Sequence, residues 1–370
     1  MSKICFILGT RPEIIKMYST IKLAQKKNLD FFIIHSNQHY DAKMDQIFFE
    51  QLQIPSPKYN LNIGSGNHGE MTGKMLIEIE KIILAESPSV VLVQGDTNTV
   101  LAGALAASKF VNIKIGHIEA GLRSYNRQMP EEINRIITDH IADFLFAPTH
   151  KQATILKMEG IENSKIFVVG NTIVDAVLEC KDLIDSSNLN KLKIGNSSEN
   201  STKPETFLNN QRYLLLTCHR PSNTDNLAHF TAILEAVQEI CQNENCQCIF
   251  PMHPRLKSQL KLIQSFDRIL VIEPVGFLEM LALEINSLMI LTDSGGIQEE
   301  SCILEKKCVI LRTDTERPET VEVGGAILIG EITKSEILEK YQTLSLRKVE
   351  WSNPFGNGTS AEQILEICQK

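Results

Sequence analysis

The densest group of side chains able to transfer protons lies in the segment HIEAGLRSYNRQMPEEINR, from His117 to Arg135. It places three glutamates, among them Glu119 and Glu131, beside three arginines. Carboxylates serve as acids and bases, and arginines bind anionic groups. The segment therefore predicts either a solvated rim of ion pairs or a site that moves protons on an anionic substrate.

A second group follows the first apolar run, in GTRPEIIK from Gly9 to Lys16. Pro12 suits the first turn of a helix, and a helix N-terminus with Arg11 and Lys16 nearby suits a diphosphate. Lys16 has a solvated helix position as its alternative. Asp96 follows another apolar run, in QGDTNT, where it either caps a helix or points into a site.

The glutamates of the opening segment have ordinary explanations as well. Glu131 and Glu132 come directly after Pro130, where acidic side chains stabilise the helix dipole. Glu131 and Arg135 are four residues apart, so the spacing predicts an ion pair on one helix face. If that face points into a site, the same pair holds a carboxylate near the substrate. Glu119 follows its strand directly.

The second half of the chain carries a similar set at the ends of its apolar runs. The helix start in DSGGIQEE offers backbone amides and a hydroxyl, which suit phosphate oxygens. Its spacing matches neither the dinucleotide nor the P-loop fingerprint. One turn later, Glu300 is placed to accept hydrogen bonds from a ribose. The candidate residues of this half are His219, Arg220, His253, Ser294, Gly295, Gly296, Glu300 and Arg312.

These side chains need a scaffold, and an alternation of apolar runs with helix-period segments supplies it. Continuously apolar strands separated by helices indicate a parallel sheet covered on both faces, in a doubly wound α/β unit. The predicted strands of the first half are Ile4–Leu8, Phe31–His35, Val90–Gln94, Lys114–His117, Phe144–Ala147 and Ile166–Val169. The predicted helices there are Glu13–Gln25, Lys43–Leu52, Met71–Ala85 and Asn98–Lys109.

A polar stretch rich in Ser and Asn interrupts this alternation, which then resumes. Such a stretch is typical of a linker or surface loop, with an insertion inside one domain as the alternative. We therefore expect a Rossmann-like domain at residues 1–185, a linker at 186–211 and a second Rossmann-like domain at 212–360. Two doubly wound domains predict a central cleft between the carboxyl ends of two sheets.

Composition excludes several other classes of protein. A chain of 370 residues, 43% hydrophobic and 22% charged, is typical of a packed two-domain protein. Its net charge of -8 argues against a nucleic-acid binder, and the chain lacks the run of ~18 apolar residues that a membrane span needs. The nine scattered cysteines lack the spacing of a zinc site, which predicts reduced thiols, no metal and a cytoplasmic location.

Taken together, the motifs resemble those of the non-hydrolysing UDP-N-acetylglucosamine 2-epimerases. They are GTRPEIIK, QGDTNT, HIEAGLR, PEEINR, FAPT, VVGNTIVDA, DSGGIQEE, TERPE and NPFGNG, in family order from about Ile4 to Ile364. The resemblance implies a two-domain fold like that of the B-type glycosyltransferases, with UDP in the cleft. It also implies a homodimer and a C-terminal helix at 361–370 that packs back on the first domain.

The resemblance also implies roles for individual residues, carried over motif by motif. The catalytic candidates are Asp96, Glu119, Glu131 and His219. The residues implied near the sugar and the diphosphate are Arg11, Lys16 and Arg135. Those implied to hold the phosphates and the ribose are Ser294, Gly295, Gly296 and Glu300, and Phe277 lies where the family seats uracil.

The activity that the resemblance implies is reversible conversion of UDP-N-acetylglucosamine to UDP-N-acetylmannosamine, without a redox cofactor. The family is understood to eliminate UDP, giving 2-acetamidoglucal, and to add it back after the proton returns to the other face. Crowded carboxylates have their pKa values pushed apart, so one can be the acid and another the base.

Four alternatives share parts of this pattern. One is carbon-2 epimerisation of a modified UDP-sugar, such as a diacetamido-uronic acid derivative. Another is a hydrolysing epimerase that releases UDP and free N-acetylmannosamine. The remaining two are a glycosyltransferase and a sugar-nucleotide-binding regulator without turnover.

Overall fold

The computed structural model describes residues 3–37, 49–184, 212–348 and 350–370. The chain divides into two compact units, the first formed by Met1–Leu178 with Phe355–Lys370 and the second by Glu179–Pro354. The linker expected at 186–211 and most of the helix expected at Lys43–Leu52 lie outside the described residues. None of the helices in the described ranges has the length and apolar character needed to cross a membrane.

The first unit is built on a seven-stranded sheet in the order β3-β2-β1-β4-β5-β6-β7. Every neighbouring pair is parallel, which requires a crossover connection between successive strands. All five residues of β1 and of β4 are buried, as strands covered on both faces must be. The strands are β1 (Ile4–Leu8), β2 (Phe31–His35), β3 (Tyr59–Asn60), β4 (Val90–Gln94), β5 (Lys114–Ile118), β6 (Phe144–Ala147) and β7 (Ile166–Val168).

Helices connect these strands and begin where the sequence supplies caps. Thr10 and Glu13 form a capping box at the first helix, and Thr97 accepts a hydrogen bond from the Val100 amide at the third. The helices of this part are α1 (Arg11–Lys26), α2 (His68–Glu86), α3 (Asn98–Ala107), α4 (Pro130–Ile141), α5 (His150–Met158) and α6 (Thr172–Lys181).

The second unit repeats the plan with a six-stranded parallel sheet in the order β10-β9-β8-β11-β12-β13. Its strands are β8 (Tyr213–Thr217), β9 (Gln247–Pro251), β10 (Ile269–Ile272), β11 (Ile290–Thr292), β12 (Cys308–Ile310) and β13 (Ala326–Leu328). Its helices are α7 (Pro221–Thr224), α8 (Leu227–Asn243), α9 (Leu260–Ile263), α10 (Phe277–Asn286), α11 (Gly295–Ile303), α12 (Pro318–Glu322) and α13 (Lys334–Leu346).

In each sheet the strand order reverses at one point, and there the connections leave on opposite faces. In the first sheet the reversal lies between β1 and β4, and in the second between β8 and β11. Ligands of doubly wound sheets bind beyond the carboxyl ends of the strands at such a point. The reversal in the first sheet therefore marks two turns as candidate sites, one after β1 that leads to Arg11 and one after β4 that carries Asp96. The reversal in the second sheet marks the turns that carry His219 and Ser294.

The observed sheets confirm the predicted α/β class with two doubly wound, Rossmann-like units. Strand β3 was not predicted, because two residues, Tyr59 and Asn60, are too few to show an apolar pattern. The remaining strands of the first sheet agree with their predicted bounds to within one residue. The unit boundaries fall at Leu178 and Phe355, where the sequence predicts 185 and 361.

The last helix, α14 (Ser360–Cys368), lies in the first unit and contacts α1. Its N-cap residue, Thr359, makes no side-chain capping bond. Asp175 of α6 caps the helix instead, because its Oδ1 accepts a hydrogen bond from the Ala361 amide at 2.9 Å. Asp175 and Ala361 are both buried, so an unpaired amide there would be costly.

We predict that Asp175→Ala lowers the free energy of unfolding by about 1–3 kcal/mol and speeds hydrogen exchange in residues 360–368. The reason is that the buried Ala361 amide of the helix loses its hydrogen-bond acceptor. Urea unfolding and amide hydrogen exchange measure the two effects.

The matched controls are Asp175→Asn, which keeps an acceptor oxygen, and Glu362→Ala on the same helix. Glu362 makes an exposed ion pair with Lys27 at 3.5 Å, which contributes less than ~1 kcal/mol. An Asp175→Ala protein as stable as Glu362→Ala would show that the contact does not hold the helix.

Candidate active site

A buried ion pair connects two of the predicted site residues of the first unit. Lys16 Nζ lies 2.5 Å from Glu119 Oε1, and each residue is 6% exposed. Gln94, the last residue of β4, donates a hydrogen bond to the other oxygen of Glu119. The alternative of a solvated Lys16 is therefore wrong. A buried pair of this kind contributes little net stability, because desolvation offsets the attraction.

The backbone of Glu119 has the left-handed conformation, with φ of 71°. A glutamate in this conformation costs on the order of 1–3 kcal/mol, and such strain clusters at functional sites. The turn is held by the Phe146 carbonyl, which accepts hydrogen bonds from the Glu119 and Ala120 amides, both at 3.1 Å. The strained turn directs the Glu119 side chain to Lys16 and Gln94.

Arg135 joins Asp96 to the start of α4. Its Nε and Nη2 donate to Asp96 Oδ2 at 2.9 and 2.5 Å, and its Nη1 donates to Glu132 Oε2 at 2.9 Å. The sequence predicts Glu131 as the helical partner of Arg135, whereas the structure places Glu132 against it. The Asp96 side chain stays 29% exposed and Glu131 is partly exposed, so both carboxylates remain accessible.

The sequence predicts Glu132 as a partner of the helix dipole, and the structure adds contacts to the loop before α4 and to Arg135. It is 1% exposed and accepts hydrogen bonds from the amides of Ser124 and Tyr125, both at 2.9 Å. Burial opposes its charge, but these amides together with Arg135 outweigh burial and lower its pKa. Glu132 thus fixes the loop before α4 and orients Arg135.

The Glu13 carboxylate connects the turn after β1 with the turn after β4 by hydrogen bonds. Its Oε2 accepts hydrogen bonds from the Gly9 and Thr10 amides at 2.5 and 3.0 Å, and its Oε1 accepts one from Thr97 Oγ1 at 2.5 Å. Burial raises the pKa of Glu13 to about 7, although these hydrogen bonds favour the ionised form. The capping-box spacing from Thr10 to Glu13 is the sequence signal that identifies this residue.

A buried network of polar side chains connects β5, α4 and the turn after β4. His117 contacts Asp139 Oδ1 through Nδ1 at 2.6 Å and the Gly95 carbonyl through Nε2 at 2.8 Å. Each ring nitrogen of His117 therefore faces an acceptor oxygen, and the imidazole is held between them. Asp139 also pairs with Arg123 at 2.7 Å. Burial opposes the charge of Asp139, but His117 and Arg123 outweigh it and lower its pKa.

In the second unit, Asp293 organises the end of β8. It is fully buried and accepts hydrogen bonds from the backbone amides of His219 and Arg220 and from Asn223 Nδ2. Its Oδ1 also lies 3.0 Å from His219 Nδ1. Burial opposes the charge of Asp293, but His219 and the backbone amides outweigh it and lower its pKa.

This contact orients the His219 ring, whose side chain is 41% exposed. With Nδ1 engaged by a carboxylate, Nε2 is left to exchange a proton with a ligand. The His253 ring stacks on His219 with its centroid 5.7 Å away. Burial and the charge of His219 lower the pKa of His253, which favours a neutral neighbour for His219.

Cationic side chains gather around the start of α11, where Ser294 is the N-cap residue. A Cβ built at Gly295 would lie 3.1 Å from Arg317 Nη1, so the bare backbone lets the guanidinium approach. Arg312 is 5% exposed and forms a two-pronged pair with Glu316 at 2.9 and 3.0 Å. Arg220 lies 4.0 Å from the same carboxylate.

Burial opposes the charge of Glu316, but Arg312 outweighs it and lowers the pKa of Glu316 to about 2. Arg317 was not among the predicted residues, although it lies in the motif TERPE. A helix N-terminus with nearby guanidinium groups can bind an anionic oxygen.

The remaining predicted residues of the second unit lie on α10 and α11. Phe277 is the first residue of α10 and is 3% exposed. Glu300 folds back over the first turn of α11, because its Oε1 lies 3.4 Å from the position that a Cβ would take at Gly296. In the described part of both units, no three His, Cys, Asp or Glu side chains form a group that could hold a metal ion.

Comparison with known proteins places these residues in a family. A family model described as UDP-N-acetylglucosamine 2-epimerase matches residues 21–369. A UDP-N-acetylglucosamine 2-epimerase of Methanocaldococcus jannaschii is 54% identical over 99% of this chain and 98% of its own length. A UDP-2,3-diacetamido-2,3-dideoxy-D-glucuronate 2-epimerase of Pseudomonas aeruginosa is 41% identical over 100% of this chain and 99% of its own.

A solved structure supports the same placement. The crystal structure of the Methanocaldococcus jannaschii UDP-GlcNAc 2-epimerase in complex with UDP-GlcNAc and UDP superposes with a TM-score of 0.85. It is 52% identical to this chain, and the match covers 99% of each chain. The chain therefore belongs to the UDP-N-acetylglucosamine 2-epimerase family.

Proposed function

We propose that the protein interconverts UDP-N-acetylglucosamine and UDP-N-acetylmannosamine by inversion at carbon 2. The observation that carries the proposal lies at the carboxyl ends of the strands of the first sheet. There Lys16 of α1 and the residues Asp96 and Glu119, which follow β4 and β5, are held in fixed geometry. Glu119 is strained and ion-paired, and Asp96 is partly exposed. Binding of a sugar nucleotide alone would not require this arrangement, whereas proton transfer does.

The second unit supplies groups suited to a nucleoside diphosphate. The start of α11 presents backbone amides beside Arg317, and Arg220 and Arg312 add positive charge. In the proposal these groups bind UDP and stabilise the negative charge that grows on it as it leaves. Phe277 and Glu300 are assigned to the uracil and the ribose, and His253 to the binding of the diphosphate.

The first unit supplies the proton chemistry. Carbon 2 of the sugar is not acidic, so the bond to UDP breaks as the proton leaves and 2-acetamidoglucal forms. A proton then returns to the opposite face of carbon 2 as UDP adds back. Two groups must therefore act on opposite faces, and the candidates are Asp96, Glu119, Glu131 and, from the second unit, His219. Arg11, Lys16 and Arg135 provide compensating positive charge.

A second candidate function has one observation in its favour. The Pseudomonas aeruginosa relative acts on a diacetamido-glucuronate sugar nucleotide and is 41% identical over the whole chain. The same elimination and re-addition would serve that sugar. We give precedence to UDP-N-acetylglucosamine because the Methanocaldococcus jannaschii relative is 54% identical.

The proposal extends to the state of the protein in the cell. We place it in the cytoplasm because of its cysteines, and we propose a homodimer on the basis of the family resemblance. All nine cysteines are buried, and none of them forms a disulfide within the described residues, which fits a reducing compartment.

We predict that incubation with UDP-N-acetylglucosamine in deuterated water yields both epimers with deuterium at carbon 2 and little free UDP. The solvent supplies the returning proton, so each turnover labels the carbon. Proton NMR follows the loss of the carbon-2 signal and the appearance of the manno epimer.

Stoichiometric UDP together with free N-acetylmannosamine would instead identify a hydrolysing enzyme. Turnover of the diacetamido-glucuronate sugar nucleotide without turnover of UDP-N-acetylglucosamine would favour the second candidate. Binding without any turnover would contradict an epimerase.

We further predict that Asp96→Asn, Glu119→Gln and Glu131→Gln each lower the rate of epimerisation by about 10²- to 10⁴-fold, the usual contribution of a general acid or base. A variant that keeps the proton-transfer group on one face of carbon 2 should still exchange the carbon-2 proton of one epimer for deuterium. It should form none of the other epimer. Each variant is incubated separately with the gluco and the manno epimer.

The control is Glu78→Gln, which removes an exposed carboxylate paired with Lys81 on α2 and should leave the rate unchanged. The side of the sugar that each carboxylate serves follows from which epimer takes up the label. A carboxylate whose removal leaves both labelling and turnover intact has no part in proton transfer.

A further inference from the structure

Asn134, on α4, is a buried amide to which the proposed reaction gives no role. It is 5% exposed. Its Nδ2 donates one hydrogen bond to the backbone carbonyl of Asp96 at 2.9 Å and a second one to Oδ1 of Asn98 at 3.3 Å. An amide nitrogen carries two hydrogens, so both of them are in use. Asn134 thus joins the turn after β4 to the first residue of α3.

Asp96 is therefore held at two points by consecutive residues of α4. Asn134 engages its carbonyl, whereas Arg135 donates to its carboxylate from Nε at 2.9 Å and from Nη2 at 2.5 Å. The preceding carbonyl, of Gly95, faces the His117 ring at 2.8 Å. Side chains of β5 and α4 thus hold two successive carbonyls of the turn. With its carbonyl and its carboxylate both engaged, Asp96 has little freedom to rotate.

The orientation of both amides follows from the Asp96 carbonyl, which can only accept a hydrogen bond. The atom of Asn134 that faces this carbonyl must therefore be its nitrogen. Because the same nitrogen also faces Asn98, the facing atom of Asn98 must be its oxygen. The Asn98 nitrogen is then left to face Nδ1 of His68, the first residue of α2, at 3.0 Å. An amide nitrogen only donates, so Nδ1 of His68 accepts.

An imidazole nitrogen that accepts carries no hydrogen, so this geometry fixes one form of the His68 ring. The ring is neutral, and its hydrogen is on Nε2. Donors and acceptors then alternate without conflict from α2 through α3 and α4 to the Asp96 carbonyl. His68 is exposed and Asn98 is 6% exposed, so the chain of hydrogen bonds leads from the surface into the interior.

We propose that Asn134 is a positioning residue for Asp96, and that Asn98 and His68 orient its amide. The inference rests on the proposed function only in that Asp96 takes part in proton transfer. It adds that the Asp96 carboxylate keeps its catalytic orientation because α4 fixes the carbonyl of the same residue. A displacement of a catalytic group by ~1 Å can lower the rate about 100-fold. The groups that bind UDP in the proposal lie in the second unit, so they are left unchanged.

The test is a double-mutant cycle on the full-length protein with Asn134→Ala, Asp96→Asn and the two changes together. Proton NMR follows turnover of UDP-N-acetylglucosamine. We expect Asn134→Ala to lower kcat by about 10- to 100-fold, with KM within about twofold of wild type. In the Asp96→Asn background the same change should lower kcat by less than about twofold, because the carboxylate that Asn134 positions is already gone.

The matched control is Asn163→Ala, which removes an exposed amide of the same unit and should leave kcat unchanged. Thermal unfolding confirms that each variant is folded. An Asn134→Ala protein with the kcat of wild type would overturn the inference. An equal fall of kcat in both backgrounds would also overturn it, since Asn134 would then act without Asp96.

Failure of the proposed function would look different. An Asp96→Asn protein that turns over like wild type would contradict the catalytic role of Asp96, and the inference would fall with it. A slow Asp96→Asn protein in which the Asn134→Ala change is fully additive overturns the inference alone.

The chain of hydrogen bonds can be tested without ligand or turnover. Nitrogen-15 NMR distinguishes the forms of the His68 ring, whose signals are assigned by their loss in His68→Asn. At about pH 8, above the ordinary titration range of histidine, we expect the hydrogen on Nε2 alone. Asn98→Asp puts a carboxylate oxygen where the donor was, so a hydrogen should appear on Nδ1. A wild-type ring with its hydrogen on Nδ1, or a ring that ignores Asn98→Asp, would overturn the inference.

Discussion

Burying a carboxylate costs free energy unless donors surround it, and each unit of the protein arranges its strand ends around one such carboxylate. In the first unit it is Asp139, which receives His117, Arg123 and the Gly121 amide. In the second it is Asp293, which receives two successive backbone amides and the His219 ring. In each unit the carboxylate and its donors belong to different segments of the chain, so satisfying the carboxylate also fixes those segments relative to one another.

The accessible side chains at the strand ends are positioned by these buried carboxylates and their donors. His117 reaches the Gly95 carbonyl, and the next residue along the chain is Asp96. The Gly121 amide that Asp139 engages lies two residues beyond Glu119. In the second unit, Asp293 orients the His219 ring and precedes Ser294 at the start of α11. A rigid support of this kind is what acid–base chemistry requires, since a small displacement of a catalytic group costs much of its rate.

The fold and the strand ends were predictable because both follow from local patterns. Apolar runs that end in Gly, Asp or His mark buried strands and the polar residues at their tips, as at Asp96 and His219. Partners distant in sequence have no such signal, so the contact of Gln94 with Glu119 became visible only in the structure. Helical spacing favours positions three and four residues apart equally. The amides of Ser124 and Tyr125, which engage Glu132, show why it rather than Glu131 faces Arg135.

The return of the chain to the first unit at Phe355 bears on how the protein is made. Ribosomes synthesise a chain from its N-terminal side onward, so α14, which packs on α1, is made only after the whole second unit. The second unit is continuous in sequence and can fold while synthesis proceeds. The first unit must wait with one side of α1 uncovered until α14 has been made. The first unit is thus begun before the second unit and completed after it, and chaperones would meet it in that unfinished form.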